Sequence, residues 1–180
     1  MASSKAVSDS TSFDVIIIGA GMAGLSLVHL LAAKIAQGLK VAIIERFELP
    51  SISSQTADQP PSFDGRATAL SYGTQQIFNQ LGIWPKIEAA ACAIKKIQVS
   101  DQGRFGQTHI KHTDTNVDAL GYIIRNRALG QGLMSDLPSE VTIFAPHSVA
   151  TIEIVEEQKA SLTLTTGDVL KADLVVMADG

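Results

Sequence analysis

A glycine-rich loop between an apolar segment and a helical pattern constrains this chain more than any other feature. The apolar run Val15–Ile18 leads into Gly19–Gly24, which reads Gly-x-Gly-x-x-Gly, and Glu45 follows about 20 residues later, after a second apolar run. Such a loop predicts a tight turn at its first glycine, phosphate approach at the second and close helix–strand packing at the third. The helix start attracts phosphates, and the carboxylate can accept hydrogen bonds from ribose hydroxyls. The pattern therefore predicts binding of an adenine dinucleotide.

The acidic residue argues against one dinucleotide but does not distinguish between the other two. A carboxylate at Glu45 disfavours NADP in this site, because the 2′-phosphate of NADP would meet a negative charge. NAD and FAD both remain open on these residues alone.

Composition excludes several other classes of protein. Of the 180 residues, 46% are hydrophobic and 18% charged, and the net charge is −4, which favours a globular α/β core and argues against a nucleic-acid partner. The single cysteine, Cys92, excludes a disulfide framework and is expected to be a buried thiol in an alanine-rich helix. No metal site is expected, since His109 and His112 would point to opposite faces of a strand.

The pattern along the chain predicts an α/β fold with two kinds of sheet. Apolar runs predict buried parallel strands, alternation over residues 94–124 predicts an antiparallel layer, and two segments around 156–159 predict a hairpin. A disordered leader is expected over residues 1–12 and a mobile loop over 49–62. The strands are predicted at Asp14–Ile18, Leu39–Glu45, Val141–Phe144, Val149–Val155, Ser161–Thr166 and Leu174–Ala178, and the helices at Met22 to about Ala36, Thr68–Leu81, Pro85–Cys92 and Asn126–Leu137.

Four further segments carry a family resemblance. Asp64–Leu70, Val99–Gly103, Leu120–Ile124 and Ala178–Gly180 occur in this order after the glycine loop. Together they resemble the ubiquinone-biosynthesis hydroxylases, a group of class A flavoprotein monooxygenases, over nearly the whole chain. The resemblance implies a parallel-sheet FAD-binding domain of the glutathione-reductase type with an inserted antiparallel layer. It also implies FAD as cofactor and NAD(P)H as a transient co-substrate.

The resemblance implies roles for particular residues but identifies no catalytic residue. The loop would cradle the FAD pyrophosphate, the acid would hold the adenosine ribose, and the arginine at position 66 would reach the pyrophosphate and the region near the flavin. The arginine that follows the acid is a further cofactor-binding residue. The resemblance also implies cofactor contacts by an asparagine, by the main chain of a valine at the adenine, and by the Asp-Gly pair at the end of the sequence. The residues are Gly19, Ala20, Gly21, Met22, Ala23, Gly24, Glu45, Arg46, Arg66, Asn126, Val149, Asp179 and Gly180.

Simpler interpretations stay open for three of these residues. Glu45 could be a solvated strand end, and Arg66 could be a surface salt-bridge partner beside Asp64. Asn126 could simply cap its helix.

The ending on an apolar strand and Asp-Gly predicts an N-terminal portion truncated before the second half of the FAD site. On this reading residues 13–93 and 125–180 form the FAD-binding domain, and residues 94–124 form part of a substrate-side layer. The resemblance implies a polyprenylated phenol as substrate, a cytoplasmic location, and contact with the membrane surface or with an assembly of biosynthetic enzymes. Self-association is also expected. Another flavin or NAD oxidoreductase, or a non-catalytic nucleotide-binding module, remains the alternative.

Overall fold

The computed structural model describes residues 11–49, 64–103, 105–155 and 159–179. The chain divides into two compact units, one formed by residues 1–60 and 133–180 and the other by residues 61–132. Most of the predicted leader and of the predicted mobile loop lies outside the described residues. The leader prediction is wrong for Thr11 and Ser12, which begin the first strand.

Eleven strands and four α-helices are found in the described residues. In chain order they are β1 (Thr11–Ile18), α1 (Met22–Ile35), β2 (Val41–Ile44), β3 (Ala67–Ser71), α2 (Tyr72–Gln80), α3 (Trp84–Ile87), β4 (Ala91–Ile94), β5 (Lys96–Ser100), β6 (Gln107–Lys111), β7 (Gly121–Arg125), α4 (Asn126–Met134), β8 (Thr142–Phe144), β9 (Val149–Ile154), β10 (Ala160–Leu164) and β11 (Val169–Met177). Short 3₁₀ turns at Glu88–Ala90 and His112–Asp114 complete the list.

The first unit is built on a six-stranded sheet in the order β8-β2-β1-β11-β10-β9. Strands β8, β2, β1 and β11 are parallel, and β9, β10 and β11 form an antiparallel meander. Ile16, Ile17 and Ile43 have no exposed surface, as expected for parallel strands that are covered on both faces. The predicted parallel sheet and the predicted hairpin are confirmed. The burial predicted for the last strand is wrong at Leu174 and Met177, which are exposed.

Helix α1 begins at Met22, within the glycine-rich motif, as its sequence pattern predicts. Leu25, Val28 and Ile35 lie on one face at helical spacing and are buried. The chain then leaves the helix through Gly38, whose φ of 105° lies in the left-handed region that favours glycine.

The second unit holds two small antiparallel sheets, in the orders β3-β7-β4 and β5-β6. The helix predicted over Thr68–Leu81 is wrong in its first turn, because residues 67–71 pair along β7 from Ala67 opposite Arg125 to Ser71 opposite Gly121. Sheet pairing has overridden local helix propensity there. Helix α2 begins only after Ser71, whose hydroxyl accepts a hydrogen bond from the Thr74 N–H at 3.1 Å.

Cys92 departs from its prediction in both conformation and burial. Of the helix predicted over Pro85–Cys92, the part up to Ile87 is α-helical and Glu88–Ala90 is a 3₁₀ turn. Cys92 instead lies on β4, opposite Ile123. Alternate residues of a strand point to opposite faces, and the thiol is on the exposed one. The expectation of a buried thiol is therefore wrong.

The predicted antiparallel layer lies within the second unit, which also includes β3, α2 and α3. Its assignment as the substrate side stays a prediction. None of the helices in the described ranges has the length and apolar character needed to cross a bilayer.

Replacing Gly24 with alanine is expected to destabilise the first unit. An ideal Cβ at Gly24 would lie 2.0 Å from the Gly19 carbonyl oxygen, so backbone must shift. Overpacking of this kind costs about 1–3 kcal/mol, and urea denaturation measures it. The matched control is Gly73→Ala in α2, where the nearest atom is 3.7 Å away and stability should be unchanged or slightly raised. Equal effects of the two substitutions would contradict the packing argument.

Candidate functional site

The glycine loop joins three elements of the first unit at Gly19. Its N–H donates to the Ile44 carbonyl at 2.8 Å, at the end of β2, and its φ of 104° gives the tight turn. An ideal Cβ at Gly19 would lie 2.5 Å from the Ala178 carbonyl oxygen and 2.8 Å from the Asp179 Cα. Glycine is therefore required both for the turn and for the close approach of the segment after β11.

The start of α1 is suited to an anion. Gly21 is the N-cap in an extended conformation, no side chain caps the helix, and its first turn contains no acidic residue. The first N–H groups of a helix have no partner within the helix, and its dipole places partial positive charge there. These features fit a pyrophosphate, which would supply both the acceptors and the negative charge.

The carboxylate of Glu45 is bonded to the same loop. Its Oε2 accepts a hydrogen bond from the Ala20 N–H at 2.8 Å, and its Oε1 accepts one from the Phe47 N–H at 3.0 Å. Glu45 is half-buried, and these two backbone hydrogen bonds orient its carboxylate. Each carboxylate oxygen has a further lone pair for a ribose hydroxyl. The ribose contact itself stays a prediction.

The other predicted residues of the first unit lie around this loop and at the start of the meander. The Arg46 guanidinium lies 4.6 Å from the centre of the Phe47 ring, within cation–π distance. Val149 begins β9 opposite Leu164 and is half-buried, and Asp179 is exposed beside Gly19. Gly180 lies outside the described residues, and the binding roles of these residues stay predictions.

In the second unit, Asp64, Arg66 and Asn126 form one hydrogen-bonded cluster. Asp64 Oδ1 accepts from the Arg66 backbone N–H at 2.9 Å and from Asn126 Nδ2 at 3.2 Å, and Asp64 Oδ2 pairs with Arg66 Nε. Asn126 is 5% exposed, and its Oδ1 accepts a hydrogen bond from the Thr68 hydroxyl at 2.6 Å. Asn126 thus connects the start of α4 to β3 and to the Asp64 turn.

Arg66 remains compatible with both interpretations from the sequence, a surface salt bridge with Asp64 and a contact with the pyrophosphate. The Arg66 side chain is 72% exposed although it pairs with Asp64. An ion pair at that exposure contributes little to stability, which is consistent with a surface salt bridge. A guanidinium so placed is also accessible to a phosphate, and its predicted role at the pyrophosphate stays a prediction.

Asp64 is the residue of this cluster to which the sequence assigned no role. The Arg66 backbone N–H, assisted by the side chains of Arg66 and Asn126, lowers the pKa of Asp64 below its ordinary value of 3.8, against a smaller desolvation effect. The signal in the sequence was the spacing Asp64-Gly65-Arg66, since aspartate commonly bonds the N–H two residues ahead in a turn.

Replacing Asp64 with asparagine is expected to lower thermal stability at neutral pH. Because the folded pKa is depressed, the stabilisation is present above 3.8 and is lost as the pH falls through the folded value. The melting curves of the variant and the wild type should therefore converge in acid. Asp118→Asn, at an exposed aspartate of the same unit, is the control. A difference that persists in acid would contradict a role of the charge.

Three comparisons with known proteins give the family and the fold of the chain. Residues 12–180 match the FAD binding domain family. The ubiquinone hydroxylase UbiM of Neisseria meningitidis is 33% identical over 174 residues, which cover 92% of this chain and 35% of that protein. The 3-demethoxyubiquinol 3-hydroxylase of Escherichia coli is 28% identical over 169 residues, covering 93% and 41%. The crystal structure of p-nitrophenol 4-monooxygenase PnpA from Pseudomonas putida matches with a TM-score of 0.64 at 18% identity, covering 94% and 41%.

These matches confirm the resemblance to ubiquinone-biosynthesis hydroxylases and the α/β fold. The chain spans roughly two fifths or less of the length of the curated relatives described. With the family match over 169 of its 180 residues, the chain belongs to the FAD binding domain family, and its cofactor is FAD.

Proposed function

We propose that this chain is the FAD-binding part of an NAD(P)H- and O₂-dependent hydroxylase that acts on the aromatic ring of a polyprenylated phenol in ubiquinone synthesis. The observation that carries the cofactor site is the Glu45 carboxylate, bonded to the Ala20 N–H beside the uncapped start of α1. The substrate class is supported by the relatives, whose names describe hydroxylases of ubiquinone or its precursors.

Each part of the site has a distinct task in this proposal. The N–H groups at the start of α1 bind the pyrophosphate, and the absence of a side chain at Gly21 lets it approach the backbone. Glu45 accepts hydrogen bonds from the ribose hydroxyls with the lone pairs that Ala20 and Phe47 leave unused. In the second unit, Arg66 pairs with Asp64 and has an exposed guanidinium, the group that matches phosphate oxygens in geometry.

FAD, when bound, supplies the two-electron chemistry that connects NAD(P)H oxidation to oxygen insertion into the ring. The residues of this chain bind and orient the cofactor, and we assign no general acid or base among them. Binding residues of this kind act on the reaction through the position of the cofactor.

The substrate and the surface of the chain suggest its surroundings. A polyprenyl chain partitions into a bilayer, so we propose a cytoplasmic protein with contact at the membrane surface or with other enzymes of the same synthesis. Exposed apolar side chains on the first sheet, including Leu174 at 54% and Ile154 at 74% exposure, support self-association.

Replacing Glu45 with glutamine tests the cofactor site. The amide keeps one acceptor oxygen but loses the charge that strengthens hydrogen bonds to the ribose hydroxyls. We expect FAD to bind about tenfold more weakly, measured by the change in flavin fluorescence during titration. The control is Glu153→Gln on β9, an exposed glutamate of the same unit. Unchanged FAD affinity in Glu45→Gln would contradict the assigned role.

The proposed reaction is tested in the source organism. Loss of the gene should deplete ubiquinone and accumulate a prenylated precursor that lacks one ring hydroxyl, which mass spectrometry identifies. Restoring the wild-type gene should reverse this. An unchanged ubiquinone pool after gene loss would refute the proposed substrate class while leaving FAD binding intact.

A further inference from the structure

His147 lies directly beside Glu45, in the segment that follows β8. The His147 N–H donates to the Glu45 carbonyl at 2.7 Å, and the Glu45 N–H donates to the Phe144 carbonyl at 2.9 Å. These two bonds continue the pairing of β2 with β8 beyond the ends of both strands. His147 is thereby held at the carboxyl end of two parallel strands, the edge at which α/β sheets bind ligands.

The imidazole of His147 packs against an aromatic ring. It meets Phe144 edge to face, with ring centroids 6.2 Å apart and an interplanar angle of 81°. Its Nδ1 is buried and has no hydrogen-bond partner among the described residues. A buried polar atom without a partner lowers the stability of the folded state. A phenylalanine at this position would therefore pack against Phe144 equally well, and Nδ1 adds no stability to the fold.

The burial of one nitrogen sets the proton on the other. A proton on Nδ1 would create a buried donor without an acceptor, and orphaned donors are rarer than unused acceptors in folded proteins. The favoured tautomer therefore carries its proton on Nε2, the nitrogen farther from the backbone. The residue as a whole is only half-buried, so its exposed surface belongs to atoms other than Nδ1.

We propose that His147 is a binding residue for the adenosine part of FAD, with Nε2–H donating a hydrogen bond to a ribose oxygen or an adenine ring nitrogen. The inference rests on the FAD site proposed at Glu45 and adds a donor on the segment whose backbone is bonded to Glu45. A ribose hydroxyl or an adenine ring nitrogen can accept a hydrogen bond. An ionised carboxylate has no proton to donate, so Glu45 cannot make that bond. Glu45 and His147 together would thus match both hydrogen-bonding roles of adenosine.

Three substitutions separate this role from packing. His147→Phe keeps a ring against Phe144 and removes both nitrogens, and His147→Gln places an N–H donor near the position of Nε2. His147→Asn places its donor near the position of Nδ1 instead. We expect the Phe and Asn variants to bind FAD and ADP about tenfold more weakly than the wild type, whereas the Gln variant should retain most of the affinity.

The measurements are FAD titration by flavin fluorescence and ADP titration by calorimetry, with thermal melting of each variant. Because ADP contains adenosine without flavin, equal losses for FAD and ADP would assign the contact to that part of the cofactor. The Phe variant should melt no lower than the wild type, since it removes a buried unpartnered nitrogen. His109→Phe, on β6 of the other unit, is the control and should leave both affinities unchanged.

The outcomes distinguish this inference from the proposed function. Wild-type affinity for FAD and ADP in His147→Phe would overturn the role of His147 while leaving the FAD site at Glu45 standing. Equal weakening in the Phe, Gln and Asn variants would also overturn it, since the position of the donor would then be irrelevant. Failure of the wild-type chain to bind either ligand would instead refute the cofactor site itself, and this inference with it.

Discussion

The close approach of backbones at Gly19 is the constraint on which the first unit depends. The Ala178 carbonyl lies so close to Gly19 that no Cβ would fit there, and the same holds for the Gly19 carbonyl at Gly24. The Gly19 N–H donates a hydrogen bond to the Ile44 carbonyl. Three parallel strands and the start of α1 therefore meet within the dimensions of one peptide unit. A side chain at either glycine would force the strands or the helix apart, because backbone atoms have no alternative rotamer. The same packing brings Ala20 to the Glu45 carboxylate.

Hydrogen bonds from backbone to carboxylate organise both sets of candidate residues. In the first unit Glu45 accepts from two N–H groups, and in the second Asp64 accepts from the Arg66 N–H and from Asn126. Each carboxylate is thus oriented by backbone N–H groups, two at Glu45 and one at Asp64. Preoriented groups bind more tightly because less conformational freedom is lost on binding.

Local pattern predicted the fold well where an element is stabilised by its own sequence. Continuous apolar runs identified β1 and β2, and helical spacing with a terminal glycine identified α1. The pattern failed at Ala67–Ser71 and at Cys92, where pairing with β7 decides the conformation. Alanine-rich and threonine-containing segments are compatible with a helix or a strand, and only a partner strand distant in sequence selects between them.

By itself the sequence determined the glycine loop and the acid that follows it, since these depend on residue types at short, fixed spacing. It also indicated the family, through segments that occur in a characteristic order along nearly the whole chain. Tertiary structure alone decided that Ala178 lies against Gly19, that Asn126 connects Asp64 to Thr68, and that His147 is held beside Glu45. These contacts join residues that are distant in sequence, so no local spacing encodes them. They follow from strand order and register, which are fixed only when the whole sheet has paired.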